Sequence, residues 1–206
     1  ITPGLEQTQG FRVGDQLEAD DFSYLKNRGL LLSYFLFGDR THLELALRVA
    51  DRVCLVDGVN PNEPRTFGLG ITAALAGYEA TGEEPYLERA RQIARELLAW
   101  SQRYQGNIPA DFIYQVGLAV EGLVHLYYLE KDPALFKEIK TLVDQAILHF
   151  WEEDGYIQNM GGLTFTSALT LLYDETGETS YREIAIKQMH SFLDHKAVLT
   201  PKEVAL

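Results

Sequence analysis

The chain has 206 residues, 46% of them hydrophobic and 23% charged, with a formal net charge of -12. This composition belongs to a folded domain, and its acidic balance excludes a nucleic-acid backbone as partner, since that needs clustered Lys and Arg. One cysteine, Cys54, excludes an internal disulfide framework and a cysteine-rich zinc site.

Residues 1–21, with Pro3, Gly4, Gly10 and Gly14, carry no helical period and read as a lead-in segment. Asp20 and Asp21 offer N-cap carboxylates to a helix over residues 22–37. Gly38-Asp39 closes that helix. The next, over 41–56, is amphipathic, with Leu43, Leu47, Ala50 and Cys54 on one stripe. A loop rich in Gly, Pro and Asn covers 57–64, and a nearly uncharged helix rich in Gly and Ala follows over 66–80. Such a helix must be covered on most sides. Beyond Gly82, residues 85–104 place Leu87, Ala90, Ile93, Ala94 and Leu97 on one face, with Glu88, Arg91 and Arg95 on the other. The scheme recurs as helices over 111–129 and 133–151, then over 162–175 and 180–195. Residues 196–206 read as a tail, so the domain is expected to span 22–195.

A glycine or lysine followed by an acidic residue stands at Gly38-Asp39, Gly82-Glu83, Lys131-Asp132 and Gly177-Glu178, at steps of 44, 49 and 46 residues. Tyr34, Tyr78, Tyr127 and Tyr173 each precede one of these turns by four residues. A fixed period of this size indicates repeats. In each unit the first helix is apolar or small and the second amphipathic, as an inner and an outer layer require. The expected fold is all-α: four antiparallel α-hairpin repeats forming an (α/α) toroid or partial toroid, with a straight solenoid as the other topology. No uncharged apolar run is long enough for a transmembrane helix. The opening Ile1 suggests a processed or excised piece, which leaves the compartment open between cytoplasmic and secreted.

The string Tyr78-Glu79-Ala80-Thr81-Gly82-Glu83 with Tyr86-Leu87 and Ala90, and its echo Tyr173-Asp174-Glu175-Thr176-Gly177-Glu178 with Tyr181 and Ala185, resemble the hairpin signature of six-hairpin (α/α) toroid proteins. That superfamily includes glycoside hydrolases, polysaccharide lyases and sugar epimerases. Within it, the run from Gly29 to Asp39 most resembles the C-terminal toroid of exo-rhamnogalacturonan lyase-like proteins. The resemblance covers about residues 22–195 and implies a carbohydrate partner without a cofactor. It departs from the family just before Gly29, where Asp20 to Arg28 contains no histidine. A complete ring has six hairpins, so a second subunit or a further segment is expected to cover the gap.

The short turns lie at one end of the hairpins and the longer loops at the other, which is the expected mouth. Counting back thirteen residues from each repeat tyrosine reaches Asp21, Arg65, Tyr114 and Met160. Helix N-termini there favour an anion, and Lys26, Arg28 and Arg65 would suit a uronate carboxylate. Gln115 adds a polar contact, and Trp151 and Tyr156 offer rings to sugar faces. Arg65 can equally bridge to Glu63. A hydrolase would pair Glu63 with Asp111 as acid and base or nucleophile, whereas a lyase would use Tyr114 as base and Arg65 as cation. Glu121 and His125 stand at i and i+4 on an apolar helix, without the second histidine of a zinc protease motif, and read as a satisfied interior pair. No metal site and no nucleotide motif is found. The functional expectation is therefore a lyase or glycoside hydrolase acting on acidic oligosaccharide, with a sugar-binding module and an α-hairpin interaction scaffold as alternatives.

Overall fold

The computed structural model describes Phe22 and residues 26–56, 58–60, 62–104, 113–150 and 163–198. Among the described residues the chain is all-α, with no strand and eight helices: α1 (Arg28–Phe37), α2 (Arg40–Leu55), α3 (Arg65–Thr81), α4 (Glu84–Tyr104), α5 (Ile113–Glu130), α6 (Pro133–Phe150), α7 (Thr166–Thr176) and α8 (Thr179–Val198). None of them is long and apolar enough to cross a membrane.

Helix-ending chemistry explains the recurring tyrosines. The N–H groups of Gly38, Gly82 and Lys131 each donate to the carbonyl four residues back, on Tyr34, Tyr78 and Tyr127, at 2.7 Å, and Gly177 does so to Tyr173 at 2.8 Å. Each donor residue is left-handed, with φ of +72° at the three glycines and +54° at Lys131. That conformation ends a helix and costs glycine nothing. The acidic residue that follows has two fates, set by its length. Asp39 and Asp132 reach the N–H groups of Thr41 and Ala134 at 2.9 and 2.8 Å and cap the next helix. In the two Thr-Gly-Glu turns the threonine takes over: the hydroxyls of Thr81 and Thr176 accept from Glu83 and Glu178 N–H at 3.1 Å.

Packing follows the expected division of labour. Each first helix packs on the second helix of its pair, and α1, α3, α5 and α7 also touch in series. Glycines bring α3 and α5 into backbone contact. A Cβ on Gly68 would lie 2.0 Å from the carbonyl oxygen of Leu118, and one on Gly122 would lie 2.6 Å from Gly68 Cα. One continuous core runs from Phe22 through Ile71, Ile93, Val120, Leu142 and Leu169 to Tyr181. Two phenols tie neighbouring pairs together in the same register: Tyr86 Oη donates to Asp51 at 2.5 Å and Tyr181 Oη to Asp144 at 2.7 Å. Arg89, buried on α4, donates to the carbonyls of Val53 and Val56 at 2.9 and 2.7 Å. It thereby closes carbonyls that the end of α2 leaves unpaired.

One expectation is corrected. Helix α1 begins at Arg28 and not near residue 22, with Asn27 in the N-cap place. Tertiary contacts outbid the local signal there: the Phe22 ring is buried over Gly70, and the Asn27 amide donates to the carbonyls of Ala46 and Ala73, both at 3.1 Å. Asp20 and Asp21, the expected caps, lie outside the described residues. The cover expected of the helix over 66–80 is found on α3, and α5 is covered likewise, whereas α1 is open along one face. Leu32, Phe35, Leu36 and Phe37 are between 53% and 80% exposed.

Candidate functional site

Helices α3 and α5 are so deeply packed that each shows only a narrow stripe before its last turns. On α3 the half-buried positions are Arg65, Leu69 and Thr72, continued by the exposed Glu79. On α5 they are Gln115, Leu118, Glu121 and His125, flanked by the exposed Tyr114 and Tyr128. Both progress by four and three residues, the spacing of one helix face. The glycine contact between the helices sets the stripes side by side, and Thr72 Oγ1 comes within 3.4 Å of His125 Nδ1.

Arg28 completes the group from α1. Its guanidinium lies 3.4 Å from the Glu79 carboxylate, and its positive field reaches both Glu121 and His125. Burial is the larger influence on each. It raises the pKa of Glu121, against the pull of Arg28. It lowers that of His125 to about 4, and Arg28 adds to the lowering. At neutral pH the imidazole is therefore uncharged beside a carboxyl group that holds its proton more tightly than usual. The two groups make no hydrogen bond to each other, and Glu121 accepts none among the described residues. The satisfied interior pair expected from the sequence is thus corrected. The helix places both side chains on its open stripe, where a helical i, i+4 pair stands about 5 to 6 Å apart at Cβ.

The repeat register shows why this level is special. Six residues before the repeat tyrosines stand Arg28, Thr72, Glu121 and Ser167. All four are polar, and all four are half-buried. Counting back six residues instead of thirteen is the signal that would have found them.

The residues expected at the mouth are distributed differently. Arg65 pairs with Glu63, its Nε and Nη2 donating to one carboxylate oxygen at 3.2 and 3.0 Å. This is the bridging alternative. Lys26 is exposed ahead of α1, and Arg28 joins the Glu121 and His125 group. Tyr114 is exposed in the first turn of α5, and the neighbouring Gln115 has its Oε1 buried without a partner among the described residues. Asp111, Trp151 and Tyr156 lie outside the described residues.

Two other constellations lack the required geometry. Ser33 Oγ lies 2.8 Å from His42 Nδ1, but Asp39 Oδ2 approaches the same nitrogen at 3.8 Å. A nucleophilic relay needs the serine and the aspartate on opposite ring nitrogens. On the outer layer a groove of about 550 Å³ is lined by Cys54, Pro85, Glu88, Arg89, Arg91, Gln92 and Arg95. Arg91 is held there by Glu84 and Glu130, and burial pushes the Cys54 thiol up, away from the reactive thiolate. No group of three or more His, Cys, Asp or Glu able to hold a metal ion occurs among the described residues. No family model, curated protein or solved structure matches the chain.

Proposed function

We propose that the helix pairs curve into an (α/α) toroid or part of one, and that the group on its inner layer cleaves an acidic, uronate-containing oligosaccharide by β-elimination. The observation that carries the reading is that Glu121 and His125 share the open stripe of α5 with Arg28 close enough to act on both, burial raising the pKa of the carboxyl and lowering that of the imidazole to about 4. The serial contact of α1, α3, α5 and α7 supports the curved inner layer.

In this reading Arg28 neutralises the uronate carboxylate, which acidifies the adjoining C–H. His125 takes that proton, and the electron pair becomes a carbon–carbon double bond as the bond to the glycosidic oxygen breaks. Glu121 gives its proton to that oxygen. The uronate also raises the proton affinity of His125 by its own negative charge, which suits the base to its task only when substrate is present. Tyr114 and Tyr128 flank the pair along the α5 stripe and offer ring faces to neighbouring sugars.

The test is incubation with a panel of uronate-containing and neutral oligosaccharides, reading ultraviolet absorbance from the conjugated product alongside new reducing ends. Absorbance with uronates alone, reduced about a hundredfold or more by His125→Ala and by Glu121→Gln, is expected. Reducing ends without absorbance would make the reaction a hydrolysis. Ligand-dependent thermal stabilisation without turnover would make the face a sugar-binding surface. Neither turnover nor stabilisation would remove carbohydrate from consideration.

A further inference from the structure

The elimination proposed for this chain needs a base with a free lone pair, and a neutral imidazole has only one. Which ring nitrogen holds it is set by the hydrogen bond that the other makes. Among the described residues the ring of His125 has one such partner, Thr72, whose Oγ1 lies 3.4 Å from Nδ1.

Thr72 behaves unlike the other threonines that lie beyond the first turn of a described helix. Thr81, Thr141 and Thr170 each turn the hydroxyl back to the carbonyl four residues earlier, on Gly77, Lys137 and Thr166, at 2.9 Å, and Thr176 does so to Leu172 at 2.6 Å. This is the local bond open to a threonine inside a helix. The Thr72 hydroxyl meets a ring on another helix instead. The carbonyl four residues before it, on Gly68, faces into the glycine seam, 2.7 Å from where a Cβ on Gly122 would stand.

The repeat register shows that the two residues are matched. Two residues before the repeat tyrosine the inner helices carry Leu32, Ala76, His125 and Leu171, so α5 alone has a polar group there. Six residues before it, α1 and α5 carry the long charged side chains of Arg28 and Glu121, whereas α3 carries the short hydroxyl of Thr72. A hydroxyl thus stands on the helix before α5, at the level where the imidazole needs a partner.

We infer that Thr72 is the positioning residue for His125: its Oγ1 accepts from Nδ1–H, which fixes the tautomer and leaves the Nε2 lone pair for the substrate C–H. The inference rests on the elimination reading of this site. With Thr72 donating to Nδ1, the one ring hydrogen would sit on Nε2 and no lone pair would be left to take a proton. An accepting oxygen serves both states of the ring. Once Nε2 has taken the substrate proton, the same Nδ1–H bond becomes charge-assisted, and no group has to turn during the step.

The test is NMR correlation of ring nitrogens with ring hydrogens in a chain carrying isotope-labelled histidine, at neutral pH and without substrate. The His125 signals are assigned by their loss in His125→Gln, and circular dichroism checks that helix content is kept in each variant. A hydrogen on Nδ1 and a bare Nε2 are expected in the wild-type chain and in Thr72→Ser. Thr72→Val keeps the shape of the side chain but loses the hydroxyl, and should shift hydrogen to Nε2. A wild-type ring with its hydrogen on Nε2, or one that Thr72→Val leaves unchanged, overturns the inference. On uronate oligosaccharide, Thr72→Val should lower kcat about tenfold at unchanged KM, with activity kept in Thr72→Ser. An effect on KM alone would mean that Thr72 holds the substrate and not the base, and overturns it too. Expected ring signals in a chain that cleaves no uronate would support the tautomer assignment while overturning the elimination reading, so the two fail separately.

Discussion

The neutral imidazole at His125 makes a claim about stability that can be measured apart from any activity. Its pKa falls from the ordinary value near 6.5 to about 4, so the unfolded chain takes up the proton first as pH drops. The stability associated with the neutral ring is therefore present above about pH 6.5 and is lost as pH falls towards 4. That separation is worth about 3 kcal/mol. Glu121 works in the opposite sense. Its raised pKa lets the folded chain take a proton earlier, adding stability as pH falls. The two effects overlap, so they are best separated in a Glu121→Gln background. Glu121 is not among the causes of the His125 shift, and the histidine should keep its value there. Urea denaturation of Glu121→Gln and of Glu121→Gln with His125→Gln, repeated from about pH 7 to about pH 4, gives the difference directly. Relative to the double variant, the chain retaining His125 should lose about 3 kcal/mol across that range. A difference independent of pH, or an NMR titration of His125 with its midpoint near 6.5, would refute the burial argument and with it the neutral base.

Three further outcomes follow from the packing and the turns. Gly68→Ala drives a methyl group into the Leu118 and Ala119 backbone and should cost about 3 kcal/mol or more, read as a fall in melting temperature of roughly 10 °C. Lys131 is left-handed while its ammonium pairs with Glu175 at 2.9 Å. Glycine and alanine both remove that ion pair, and only alanine keeps the backbone strain, so chemical denaturation should find Lys131→Gly about 1 kcal/mol more stable than Lys131→Ala. Tyr86→Phe removes the hydroxyl that donates to Asp51 but keeps the ring packed on Gly77. A loss of about 1 kcal/mol, absent when Asp51 is already asparagine, is the expected double-mutant result.

Helix number, turn positions and the contrast between paired helices were legible because they rest on local chemistry. Glycine before an acid ends a helix wherever it stands, and an apolar period reports a buried face. The start of α1 was not legible, since Asp20-Asp21 carries a sound cap signal while the Phe22 ring and the Asn27 amide answer to residues far along the chain. Arg89 was equally hidden: its partners are backbone carbonyls on another helix, and carbonyls leave no mark in a sequence. The Arg65 and Glu63 bridge could be seen coming because the two stand two residues apart. The grouping of Arg28 with Glu121 and His125 depends on how α1, α3 and α5 lie together, which no spacing within one helix states.

The half-buried imidazole on α5 is not something the fold requires. Two positions in the register of His125, Ala76 and Leu171, hold small or apolar residues without loss of packing. The repeat therefore tolerates apolar residues on these helices, and leucine or alanine at Glu121 would remove the desolvation that raises its pKa. Keeping a half-buried carboxyl and a half-buried imidazole on α5, neither bonded to the other, leaves stability unused. Such groups are usually recovered in function, where a bound ligand supplies the partners that the folded chain withholds. An anion contacting Arg28 and His125 would do this. It would reverse the lowering of the histidine pKa by its own charge, so the site becomes basic only once it is occupied.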